Sequence, residues 1–161
     1  MIFTTQVEKI RTRKGIGLLE LMLALAIISI LIIMATRYYQ TASRSQKVAE
    51  AVNQVNAVVA GASRWRIGKP GYAGITYAQL GTLGLIPKEM ESGTGVNPWG
   101  GNISINTTST GGTLVIDFTG VDTKDCAALV SMFGGTGGSS NIKVTSGATN
   151  TCTFTYTDVG A

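Results

Sequence analysis

The chain has 161 residues, room for one domain of ordinary size plus a tail, and carries 13 Lys and Arg against 9 Asp and Glu. It contains no histidine, which removes the commonest general base, the commonest metal ligand and every Ser/His/Asp or Cys/His arrangement, leaving little for enzymatic chemistry. Lys9, Arg11, Arg13 and Lys14 supply four positive charges and Glu8 one negative; without them the balance is 9 against 8, too even for a general nucleic-acid binder.

Residues 1–14 are polar and basic, and 16–35 are apolar except for Gly17, Glu20 and Ser29. As a helix, this stretch is roughly 30 Å long, enough to cross the hydrocarbon core of a bilayer. The basic flank predicts a cytoplasmic N-terminus. A secretory signal peptide fits Leu21 to Ala35 by length, with a weak small-residue site at Thr41-Ala42-Ser43, and a plain signal anchor fits the whole span. Neither explains Glu20, because a carboxylate taken to the centre of a bilayer costs roughly 2.5 to 3.5 kcal/mol.

The pattern then becomes amphipathic, with no Gly or Pro between Leu18 and Ala60. Val48, Val52, Val55 and Val59, joined by Ala51, Val58 and Ala62, form an apolar stripe; Arg44, Lys47, Glu50, Asn53 and Asn56 take polar positions. One continuous helix of about 50 residues is predicted, its first half suited to lipid and its second to a core, stopping near Gly68-Lys69-Pro70-Gly71. A short helix follows at TYAQLGTLG, with Thr76 as N-cap and Gly84 as the stop.

Beyond Pro87 the composition turns to Gly, Ser, Thr and Asn with short alternating runs. NISINTT (102–108) and TLVIDF (113–118) read as one hairpin, and NIKVTS and TCTFTYT with Gly147 between them as a second. Between the hairpins a helix is expected from about Thr123 to Phe133, capped by Asp122 or Thr123 and ended by Gly134. The fold class is α+β: a long N-terminal helix, part transmembrane and part amphipathic, with its Val stripe on one small antiparallel sheet. The two cysteines, Cys126 and Cys152, are too far apart for CxxC chemistry and too few for zinc, and an even pair behind an export signal suggests one disulfide.

Several other features carry weaker signals. Arg64, Trp65, Arg66 and Lys69 could stack and charge-pair with single-stranded DNA, although a solvated helix end with Trp65 tucked against the sheet is the simpler reading. Asn102-Ile103-Ser104 and Asn106-Thr107-Thr108 match short glycosylation sequons. Asp117, Asp122 and Asp125 lack the ordered ligand loop of a calcium site, so capping is the expected role. GGTGG lacks the strand-to-helix setting of a phosphate cradle and reads as a turn.

Gly15 followed by IGLLE and a 15-residue apolar run resembles the prepilin motif of type IV pilins, in which a dedicated membrane peptidase cuts after the glycine and leaves Glu as the fifth mature residue. The resemblance continues through the long helix, the NPWGG element at Asn97 to Gly101 and two cysteines near the C-terminus, with Gly17 a departure where many relatives have Thr. A 15-residue leader, Ile16 as the new N-terminus and DTKDCAALVSMF before the first cysteine are similar to the type IVb group, which includes toxin-coregulated and conjugative thin-pilus pilins.

The resemblance implies a leader at 1–15, a transmembrane and polymerisation segment at 16–36, and a globular pilin domain at 37–161. It implies cleavage between Gly15 and Ile16, a Glu20 that pairs with the new α-amine of a neighbouring subunit, and a Cys126–Cys152 loop bordering the fibre surface, with 134–141 as a contact region. Its partners would be copies of itself in a helical fibre, a prepilin peptidase, the inner-membrane assembly machinery and, before assembly, the membrane. No cofactor, metal or catalytic residue is expected. The location would be the bacterial inner membrane and then an extracellular pilus. The competing expectations are a minor pilin, a type II secretion pseudopilin, or a secreted or membrane-anchored binding domain beginning near Arg44.

Overall fold

The computed structural model describes residues 17–91, 95–108, 111–133, 142–147 and 150–157. The chain falls into two units, Met1–Thr41 and Ala42–Ala161. One helix, α1 (Leu18–Trp65, 48 residues), begins in the first unit and ends in the second. In the first unit α1 is uncovered: every residue from Leu18 to Met34 is exposed. That stretch has the length and composition to cross a membrane.

In the second unit α1 belongs to a packed core. Val48, Ala51, Val55, Val58 and Ala62 are buried, while Val52 and Val59 are half-buried. The buried stripe therefore takes Val48 and Val55 from the valine series together with Ala51, Val58 and Ala62, and leaves Val52 and Val59 at its edge. Gly61 lets the following chain approach, since a Cβ there would lie 2.6 Å from the Leu85 carbonyl oxygen. The helix ends at Trp65, three residues before Gly68, which adopts φ +81 in the turn that follows.

Helix α2 (Tyr77–Thr82) has the expected N-cap, and Gln79 completes a capping box with Thr76. A 3-10 turn, Lys88–Met90, follows Pro87 and has no counterpart in the sequence reading. Tyr77 ties the two together: its hydroxyl donates to the Met90 carbonyl (2.8 Å), and burial pushes the phenol above its ordinary pKa.

Strands β1 (Ile103–Thr107) and β2 (Thr113–Thr119) form the first hairpin; β3 (Ile142–Ser146) and β4 (Thr151–Thr157) form the second. They make one antiparallel sheet in the order β1-β2-β4-β3. The join is β2 against β4, with Leu114 opposite Tyr156, Ile116 opposite Phe154 and Phe118 opposite Cys152. Leu114, Ile116, Phe118, Cys152 and Phe154 are fully buried, as the period-2 alternation requires. Phe118 and Phe133 both meet the Phe154 ring edge-on, at centroid distances of 5.1 and 5.8 Å.

Helix α3 (Thr123–Met132) connects the hairpins and places Cys126 and Leu129 in the core. It stops one residue short of Phe133, and Gly134 lies outside the described residues. Asp122 occupies the N-cap position but makes no side-chain cap bond. Its carboxylate is instead 3.9 Å from the Arg44 guanidinium on α1, an exposed pair drawn by charge.

Candidate assembly site

Glu20 stands in the first turn of α1. Gly17 starts the helix, its carbonyl accepting from the N–H groups of Glu20 (3.0 Å) and Leu21 (3.0 Å). A carboxylate in the first turn interacts favourably with the helix dipole, so Glu20 is compatible with helix formation wherever the span resides. Its side chain is exposed, as are the apolar residues that follow it. Gly15 and Ile16, the residues named for processing, lie outside the described residues.

Apart from Glu20, the polar side chains of the apolar stretch and its end bond within the helix. Ser29 Oγ donates to the Leu25 carbonyl (2.7 Å), and Thr36 Oγ1 lies 3.0 Å from the carbonyls of both Ile32 and Ile33. A helix with its backbone and hydroxyl groups internally bonded can be surrounded by lipid or by other apolar helices without leaving a polar group unpaired. Among the described residues no group of three or more His, Cys, Asp or Glu is placed to hold a metal.

The second unit carries the disulfide. Cys126 on α3 and Cys152 on β4 are bonded, with an S–S distance of 2.04 Å and Cα atoms 5.7 Å apart. The bond fastens the connecting helix to the sheet directly opposite Phe118. The stretch 134–141, named as a surface contact region, lies outside the described residues.

The NPWGG element is a locked corner. Asn97 is 3% exposed; its Oδ1 accepts from the N–H groups of Trp99 (3.0 Å) and Gly101 (3.0 Å), and its Nδ2 donates to the Thr119 carbonyl (2.7 Å). A Cβ at Gly101 would run into that same Thr119 carbonyl, so only glycine fits. Trp99 Nε1 donates to Asp125 Oδ2 (2.8 Å), linking the corner to α3. Asp125, expected to cap, therefore serves as a buried acceptor.

The other two carboxylates are engaged elsewhere. Asp117 accepts from Thr153 Oγ1 (2.6 Å) and Asn106 Nδ2 (3.1 Å) on the outer face of the sheet, and Asp122 faces Arg44. The three do not converge on one point, which a calcium site would require.

Within the basic-aromatic cluster, Lys69 Nζ sits 3.3 Å from the centroid of the half-buried Trp65 ring, and the Arg66 guanidinium sits 5.6 Å from that of Tyr72. The ring face that a base would stack on is occupied by the chain's own cation. An open groove of about 360 Å³ between Ala57, Arg64, Leu85 and Pro87 offers apolar walls with Arg64 as its charged residue, and presents no convergent set of polar groups.

Two family models match the chain. The prokaryotic N-terminal methylation motif matches residues 10–36, the stretch holding Gly15, Ile16, Glu20 and the apolar run. A second model, described as PilS N terminal, matches residues 44–161. No curated protein and no solved structure matches. The long helix on a small antiparallel sheet is the pilin architecture, and the PilS match takes in all four strands and most of the chain. The chain belongs to the PilS family of type IV pilins, whose members are structural subunits and not catalysts.

Proposed function

We propose that this chain is a type IVb-like pilin, stored as a single-pass inner-membrane precursor with its basic end in the cytoplasm. A prepilin peptidase cuts it between Gly15 and Ile16. The assembly machinery then withdraws it from the bilayer into an extracellular fibre of many copies. The observation that carries this reading is Glu20 in the first turn of a helix whose apolar side chains from Leu18 to Met34 are all uncovered.

Cleavage creates an α-amino group on Ile16, and a positive charge is poorly placed at a helix N-terminus. In a fibre the apolar segments of successive subunits pack together, and the Glu20 carboxylate of one copy pairs with the amine of the next. Leaving either charge buried alone costs roughly 3 to 5 kcal/mol, so a subunit in the wrong axial position is rejected. The pair selects register.

Glu20→Ala tests this. The variant is expected to reach the membrane and be cut normally, while recovery of sheared fibres falls at least tenfold; Glu20→Gln, which keeps the size and loses the charge, fails in the same way. Fibres of ordinary yield and geometry from either variant would remove the pairing role.

A further inference from the structure

Tyr38 and Tyr39 end the apolar half of α1, and they are the only aromatic residues among the strongly exposed large hydrophobic side chains described, at 79% and 74%. No aromatic residue occurs between Leu18 and Arg37. An aromatic-free span that closes on two adjacent tyrosines has the pattern of a helix leaving a bilayer, because a phenol prefers the headgroup boundary, with its ring in the apolar layer and its hydroxyl among polar groups. Arg37 beside them has a stem long enough to carry its charge outward into the headgroups.

From these observations we infer that Tyr38 and Tyr39 lie among the lipid headgroups of the outer leaflet and set the depth at which the stored subunit waits. This rests on reading the apolar half of α1 as a membrane span. Glu20 and Tyr38 are 18 positions apart. At 1.5 Å per residue that separates them by about 27 Å, close to the roughly 30 Å thickness of the hydrocarbon core.

With the tyrosines at the outer boundary, the Glu20 carboxylate lies at the inner one, where water and headgroups reach it. The acid is then desolvated only when the subunit leaves the bilayer for the fibre. A helix displaced outward by one turn would carry the carboxylate into hydrocarbon. The tyrosine pair therefore opposes outward drift of the stored subunit until the machinery pulls it.

Site-directed spin labelling of the full-length chain tests the inference, in vesicles of phosphatidylethanolamine and phosphatidylglycerol. Cys126 and Cys152 are bonded to each other, so one introduced cysteine takes the nitroxide alone. Labels at Leu21→Cys and Ser29→Cys are read by collision with oxygen and with a water-soluble nickel complex. The Ser29 label is expected to be deep and nickel-protected, and the Leu21 label to sit at headgroup depth.

Moving the aromatic pair one turn back, with Met34→Tyr, Ala35→Tyr, Tyr38→Ser and Tyr39→Ser combined, should draw the Leu21 label inward by up to about 6 Å. Its access to nickel should fall several-fold, whereas Tyr38→Trp with Tyr39→Trp should leave the depth unchanged. An unmoved Leu21 label in the shifted variant overturns the depth-setting role and leaves the membrane span intact. A Ser29 label as open to nickel as one at Gln46 overturns the span itself, and the inference with it.

Discussion

One amide, that of Asn97, bonds two backbone N–H groups and a carbonyl while almost wholly withdrawn from solvent. Truncation removes all three of these hydrogen bonds, each worth a net of about 0.5 to 1.5 kcal/mol. Asn97→Ala is therefore expected to destabilise the folded globular unit by roughly 2 to 4 kcal/mol, read from denaturant unfolding followed by tryptophan fluorescence. A loss under about 0.5 kcal/mol, the range of ordinary surface substitutions, would show that the corner carries little. Glu20 is the opposite case: exposed, unburdened by local bonds, and conspicuous in the sequence because its charge opposes its neighbours. The Trp99 to Asp125 bond was hidden from sequence reading, since it joins residues 26 positions apart and both types have commoner roles nearby.

At the level of elements, local chemistry was legible and long-range pairing was not. The alternation in TLVIDF and TCTFTYT announces two strands, and Thr76 with Gln79 announces a helix start. The order β1-β2-β4-β3 depends on β2 meeting β4 across the whole of α3, for which no adjacent residues give a signal. Asp122 takes the N-cap position that the sequence indicates, but its carboxylate makes no cap bond and faces Arg44, far away in sequence. The disulfide holds α3 to the far half of this sheet, closing a loop with a sequence separation of 26. By chain-entropy arithmetic its removal costs roughly 3 to 4 kcal/mol. The paired change Cys126→Ser with Cys152→Ser should lower the unfolding free energy by that amount and make the head sensitive to protease. Unchanged stability would mean that Phe154, Phe118 and Leu129 hold the region without the bond.

For the molecule as a whole, the two units carry different physics. The second unit buries its own core, with Leu114, Ile116, Phe118 and Phe154 fully withdrawn from solvent. The apolar half of α1 buries nothing, and contiguous exposed apolar surface on that scale calls for lipid or for other copies of the chain. The proposed life cycle supplies lipid first and copies afterwards, with one proteolytic cut between them. The proposal that this cut falls between Gly15 and Ile16 rests on the spacing of Gly15, Glu20 and the apolar run, and the methylation-motif match covers the same residues. The most direct test is the intact mass and N-terminal peptide sequence of the protein recovered from fibres sheared off its own bacterium. The account requires a chain beginning at Ile16, with a methylated α-amine in keeping with the motif; a chain beginning near Arg44, or retaining Met1, would contradict it.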